Sequence, residues 1–270
     1  MIQFLRQLKH QWNLRRQELG REVELQQRRN WQQLNALKGL HRGRRAFVIG
    51  NGPSLRIADL ERLEGEITFA TNGIVKAFDQ TAWRPTYYVM VDHLNAANFR
   101  PLVMAAEGPR KLFALDLYEH YRDDPHALFF RKSPPLDDNT PPRFSYQPQA
   151  RVSTGCTVTY DCLQWAVYMG IKEIYLLGVD WDYAYANDKV ARQVEGYTIR
   201  EQQDSQNHFL PNYFEPNQRY LEPLVDKQYA AYQAARREMD RHDWTIANAT
   251  RGGKLDVFPR VDFDAIAPAP

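Results

Sequence analysis

From residue 45 onward, short apolar runs alternate with longer amphipathic stretches. Ala46–Ile49, Ile67–Ala70, Tyr87–Val91, Lys111–Leu115, Ala127–Phe130, Glu173–Leu177 and Trp244–Ala247 read as strands. Ile57–Leu63, Ala96–Ala106 and Thr157–Met169 read as helices. Val225, Tyr229, Tyr232, Ala235 and Met239 mark one face of another. Nearly continuous apolar strands separated by helices predict a parallel sheet whose faces are both covered. The expected fold is therefore α/β, a Rossmann-like, mostly parallel sheet with helices on both faces. Ala77–Thr81 is read as a turn. Residues 132–150, rich in Pro, Asp and Gln, are read as a surface loop, and residues 183–222 show no clear period.

Residues 1–44 differ. Leu5, Leu8, Trp12, Leu19 and Val23 recur near helical spacing among Arg and Gln, which predicts a basic helical extension. The domain is expected over 45–265, with a short tail at 266–270. Charge sharpens the division. Residues 1–45 hold eleven Lys/Arg against three Asp/Glu, a net of +8. The whole chain is +2, so the rest carries −6. The extension is expected to pack on the domain or self-associate, to touch an anionic membrane surface, or to form a basic tail. Nucleic acid is not expected, because aromatic interleaving and a reading motif are absent.

Composition adds limits. The chain has 270 residues and is 43% apolar, enough for a full core and against global disorder. No apolar run approaches the roughly 20 residues a spanning helix needs. There is no compact signal-peptide core. Cys156 and Cys162, six positions apart in the predicted helix, are poorly placed to pair, which fits a reduced, cytoplasmic setting.

The polar residues cluster where predicted strands end, the place where open α/β sheets bind ligands. Gly50-Asn51-Gly52-Pro53-Ser54 follows the first strand. It is expected to turn into a helix whose free N–H groups hold a phosphate. Asn51 and Asn72 either cap turns or hydrogen-bond a base or ribose. Arg151, Ser153, Thr154 and Gly155 lead into the central helix, as N-caps or as a phosphate or carboxylate site. Asp92, His93, Asp180 and Asp182 end strands as solvated loops, sugar contacts or Mg²⁺ ligands. His208 is a candidate base, and Tyr183, Tyr185, Tyr197 and Tyr213 are candidate donors to a departing phosphate or lid packing.

Val48-Ile49-Gly50-Asn51-Gly52-Pro53-Ser54-Leu55, Ala70-Thr71-Asn72, Ser153-Thr154-Gly155 and Gly170 through Asp180 resemble bacterial family 42 sialyltransferases. They are also similar to the broader 6-hydroxymethylpterin diphosphokinase (MptE-like) domain family, which includes motility accessory factors. Asn248 through Arg260 is similar to that broader family, and the resemblance spans about residues 45–265. It implies a glycosyltransferase of surface polysaccharide or glycoconjugate synthesis, cytoplasmic or peripheral at the inner membrane face. Its donor would be a nucleotide sugar, CMP-linked in the sialyltransferases, with no cofactor required; its acceptor would be a glycan or glycolipid. Asn51 and Asn72 match nucleotide-holding positions, and Arg151, Ser153 and Thr154 match the donor-sugar loop. Tyr183 or Tyr185 matches the leaving-phosphate tyrosines. The base histidine of those enzymes falls nearer Asn212 than His208, and Asp92 stands where they carry Asn, against sialic acid as the sugar. Two alternatives stay open. One is pterin diphosphokinase chemistry with ATP and Mg²⁺, using Asp92, Asp180 and Asp182 as ligands. The other is a non-catalytic binding module.

Overall fold

The computed structural model describes residues 27–134, 140–184, 188–194, 196–203 and 206–268. Seven strands form one sheet in the order β10-β6-β1-β2-β3-β4-β5. They are β1 (Arg45–Ile49), β2 (Ile67–Thr71), β3 (Tyr87–Met90), β4 (Arg110–Ala114), β5 (Ala127–Phe130), β6 (Glu173–Leu177) and β10 (Thr245–Asn248). Every pairing is parallel. In β2 all five residues are buried, as expected for a central strand covered on both faces. Helices pack around the sheet: α1 (Ile57–Glu61), α2 (His93–Ala105), α3 (Tyr118–Tyr121), α4 (Val158–Tyr168), α5 (Val225–Met239) and α6 (Phe263–Ile266). This is the Rossmann-like α/β arrangement. In α4 every residue but Val167 is buried, so it is a core helix rather than an amphipathic surface one.

Residues 27–44 are continuous with this core. A helix runs over 27–35, and Leu34 and Leu37 are buried with the sheet residues. The Asn30 amide donates to the Phe129 carbonyl (2.8 Å) and accepts from the Phe129 N–H (2.7 Å). It thereby takes the place of a neighbouring strand along the exposed edge of β5. Gly39 N–H and His41 N–H donate to the Tyr168 and Met169 carbonyls, which α4 leaves open at its end. Leu5, Leu8, Trp12, Leu19 and Val23 lie outside the described residues.

Three expectations need correction. Residues 183–222 are not one irregular loop: β7 (Lys189–Val194), β8 (Tyr197–Glu201) and β9 (Arg219–Leu221) form a second, antiparallel sheet. The central helix starts at Val158, and its N-cap residue Thr157 makes no side-chain cap bond. Ser153 and Thr154 are therefore not its caps, and Cys156 precedes the helix that holds Cys162. Near the end of the expected domain, α6 buries Phe263 against Phe47. Among the described residues no helix is long and apolar enough to cross a membrane.

Candidate active site at the switch point of the sheet

From β1 the chain steps outward through β2 to β5, and it returns to β6 on the other side of β1. The crevice at the carboxyl ends of β1 and β6 is thus the topological switch point. The two turns there are in direct contact. Gly50 N–H donates to the Leu177 carbonyl and Gly52 N–H to the Gly178 carbonyl, both at 2.8 Å. A methyl group at Gly52 would lie 1.9 Å from Asp180 Oδ2, and one at Gly50 would lie 2.4 Å from the Gly178 oxygen. The glycines serve this close approach.

That contact overturns the expected phosphate cradle. Ser54 N–H and Oγ–H donate to the Asp180 carboxylate at 3.2 and 2.8 Å, and Leu55 N–H donates to the Gly52 carbonyl. The donors at Gly50, Gly52, Ser54 and Leu55 are all engaged within the protein. Pro53 and Ser54 sit in a turn, and α1 begins only at Ile57. Ser54 does not line the cleft. It holds Asp180, whose carboxyl burial pushes up and the Ser54 hydrogen bonds pull back down.

Above the turns lies a cleft of about 530 Å³. Gly50, Asn51, Gly52, Asn72, Asp92 and Asp180 line it, joined from later in the chain by Thr154, Asp182, Tyr183 and His208. Asn51 Nδ2 donates to the Thr71 carbonyl (3.0 Å) and to Thr71 Oγ1 (3.1 Å). That leaves Asn51 Oδ1 buried without a hydrogen-bond partner, and Asn72 Oδ1 is in the same state. Two unsatisfied amide oxygens at one cleft are unusual in a folded protein and form ready acceptors. Backbone strain gathers here as well. Asn72 (φ +48°), Cys156 (+56°) and Trp181 (+52°) all line the cleft in the left-handed region.

Other expected residues lie differently. Arg151 is exposed and does not reach the cleft. Ser153 N–H and carbonyl are bound by the Gln164 amide, both at 2.9 Å. Thr154 lines the cleft, but its hydroxyl donates to the Ser133 carbonyl at 2.8 Å. Gly155 makes room for Tyr160, whose ring would lie 2.3 Å from an added methyl. Tyr185 lies outside the described residues. Tyr183 lines the cleft and its hydroxyl donates to Gln228 Oε1 at 3.4 Å. Tyr197 lines the cleft from β8. Tyr213 accepts from Gly73 N–H at 2.8 Å.

His208 changes most. Its ring stacks on Tyr213, centroids 3.8 Å apart and planes 4° from parallel. Phe209 N–H ties the segment to the Asn51 carbonyl at 3.0 Å. Burial pushes the imidazole pKa down to about 3, against an opposing pull from Asp188. At neutral pH the ring is uncharged, and a group with so low a pKa takes a proton weakly. Burial thus works against His208 taking a proton, which sets it apart from an ordinary imidazole base.

The Mg²⁺ ligand set does not assemble. Asp92 caps α2 through the Asn95 N–H (2.7 Å), Asp180 holds Ser54, and Asp182 pairs with Lys254 (2.7 Å). Among the described residues no group of three His, Cys, Asp or Glu is arranged to hold a metal.

One residue escaped the sequence reading. Lys132 lines the cleft from just beyond β5 and is the only Lys or Arg that does so among the described residues. The signal was its place at a strand's carboxyl end, the same rule that singled out Asp92 and Asp180. The Pro-, Asp- and Gln-rich composition of 132–150 hides it.

Fold and cleft together define an α/β protein with a ligand crevice at its switch point. The chain belongs to the 6-hydroxymethylpterin diphosphokinase MptE-like family, whose model matches residues 23–186. A structural neighbour is the MAf glycosyltransferase from Magnetospirillum magneticum AMB-1, with a TM-score of 0.50 and 13% identity. The match covers 86% of this chain and 38% of that one, so it is a likeness of fold to part of a longer protein. A comparison with curated proteins gave no match.

Proposed function

We propose that the protein is a glycosyltransferase that takes its sugar from a nucleotide-activated donor and passes it to a glycan or glycolipid acceptor in surface glycoconjugate synthesis. The observation that carries this reading is the pair of unpartnered Asn51 and Asn72 amide oxygens in the switch-point cleft. They offer acceptors to the N–H groups of a base or the hydroxyls of a ribose. The name of the MAf neighbour points the same way.

In this reading Asn51 and Asn72 hold the nucleoside, and Gly52 lets the turn that carries Asn51 close on Asp180. The Tyr183 hydroxyl turns from its long bond to Gln228 to donate to the leaving phosphate and offsets its developing charge. The neutral His208 ring with Tyr213 forms a flat aromatic wall. Asp92, whose carboxyl burial pushes up, is better matched than His208 to take the acceptor's proton. The net charge of +8 over residues 1–45 supports contact of that segment with anionic lipid at the inner membrane face.

The test is a thermal-shift screen with CMP-, UDP- and GDP-sugars, and with ATP with and without Mg²⁺. A ligand bound at 100 times its Kd stabilises the folded state by about 2.7 kcal/mol, a readable rise in Tm. The expected result is a rise with one nucleotide-sugar class that EDTA leaves unchanged. A rise with ATP and Mg²⁺ alone, followed by diphosphate transfer to a hydroxymethylpterin, would replace this reading with the diphosphokinase one. No rise with any ligand would leave a binding module that recognises something other than nucleotides.

A further inference from the structure

The cleft lacks the cation that Arg151 was expected to supply, and Lys132 stands inside it. The Lys132 backbone is held on both sides by a parallel bridge to Val152. Val152 N–H donates to the Arg131 carbonyl, and Ser133 N–H to the Val152 carbonyl, both at 2.8 Å. The side chain therefore starts from a fixed point. Its Nζ lies 3.6 Å from Asp161 Oδ2. That is close enough for charge attraction and too long for a good hydrogen bond. The three ammonium donors are thus not consumed by the carboxylate.

Asp161 is the stranger half. It sits in the first turn of α4 with 1% of its side chain exposed, and neither carboxylate oxygen has a hydrogen-bond partner. A bare buried carboxylate is costly unless something charged answers it. Lys132 is the only cation in ion-pair contact with it among the described residues. Holding an ammonium at the cleft wall is a use that explains such a residue.

Resting on the nucleotide reading, we infer that Lys132 is the anion anchor of the cleft, binding the phosphate of the nucleotide donor, and that Asp161 is its positioning residue. The phosphate brings the hydrogen-bond acceptors that Asp161 is too distant to supply, and Lys132 neutralises it as a point charge. Asp161 acts only through Lys132, keeping the ammonium charged and aimed.

The experiment compares CMP with cytidine, and UMP, GMP and AMP with their nucleosides, by titration calorimetry on the full chain. Wild-type protein is expected to bind one monophosphate more tightly than its nucleoside. Lys132→Gln is expected to weaken the monophosphate at least tenfold and to leave the nucleoside within twofold. Lys132→Arg is expected to restore most of the loss. Asp161→Asn is expected to weaken the monophosphate several-fold, again sparing the nucleoside. The nucleoside affinity also reports that each variant is folded. Equal losses for both ligands, or an unchanged monophosphate affinity in Lys132→Gln, would overturn the anchor while leaving the nucleotide reading intact. Wild-type protein that binds none of the four monophosphates defeats that reading and the anchor together.

Discussion

Two lysine–aspartate pairs in this molecule have the same chemistry and opposite settings. Lys111, on β4, and Asp124 are each 1% exposed, with Nζ and carboxylate 2.6 Å apart. The ammonium also donates to the Val103 carbonyl at 2.7 Å, and Asp124 accepts from the His126 N–H at 2.9 Å. Lys132 and Asp161 are 3.6 Å apart, the lysine is 23% exposed at the cleft, and the aspartate has no hydrogen bonds. The first pair is closed on itself and has no capacity for a ligand. The second is left incomplete on the side that faces the cleft. The difference teaches that openness marks a site better than charge does.

The largest expected effect separates the pairs by stability. Lys111→Met strands the Asp124 charge in the core and is expected to cost about 3–5 kcal/mol. Lys132→Met is expected to cost less than about 2 kcal/mol, because Asp161 can take up a proton and the lysine was already partly in water. Urea denaturation at pH 7 measures both. Equal losses would show that the Lys132 pair is structural too.

The next effect is a pH dependence. Burial raises the Asp161 carboxyl to about 6, against the pull of Lys132. The folded chain therefore holds this proton up to about pH 6, whereas the unfolded chain releases it near pH 4. Between those values folding takes up a proton, so this residue's contribution to stability falls as pH rises and levels off above pH 6. Asp161→Asn lacks the term. It is expected to match wild type near pH 4 and to exceed it by about 2–3 kcal/mol above pH 6. Stability measured at pH 4, 5, 6 and 7 checks this, and a constant difference would refute it.

A smaller effect tests the other wall of the cleft. Gly52→Ala places a methyl 1.9 Å from Asp180 Oδ2 and 2.9 Å from the Gly178 oxygen. The carboxylate can swing aside, but the carbonyl belongs to the backbone. The expected cost is about 1–3 kcal/mol of overpacking, with nucleotide-sugar affinity lost alongside it. A variant with native Tm and native affinity would show that the two turns are looser than their contact implies.

The sequence carried the sheet and carried the site unevenly. Glu173–Leu177 was legible because Ile174–Leu177 is an unbroken apolar run, as a strand inside a parallel sheet requires. β7 was not, because nearly all of Lys189–Val194 is exposed and shows no alternation to detect. Asn51, Asn72 and Asp180 were legible because each lies within three residues of a strand's carboxyl end. Arg151 is near Ser153 and Thr154 along the chain but stays outside the cleft. Lys132, nineteen residues earlier, takes the place in the cleft through a bridge that only the folded chain forms. The expected caps failed for the same reason. Gln164 and Ser133 compete for Ser153 and Thr154 from a distance, and local propensity does not register tertiary partners.

The smallest expected effect is the absence of one, and it bears on the half of the cleft without a lysine. An imidazole with its ordinary pKa would impose a break near pH 6.5 on nucleotide-sugar affinity or turnover. His208 does not have that pKa. Burial against Tyr213 and Phe214 favours the neutral ring down to about pH 3, and the charge on Asp188 recovers only part of the loss. Between pH 5.5 and 8 the ring does not change its charge, so it contributes no slope to either profile. His208→Gln is accordingly expected to keep the wild-type shape of the pH–rate curve. It lowers the curve only by the lost ring stack, about 0.5–1.5 kcal/mol. A break near 6.5 that disappears in the variant would return His208 to the role of base. It would also mean that the stacked arrangement opens when the acceptor binds, making the aromatic wall, rather than the Lys132 side, the part of the cleft that moves.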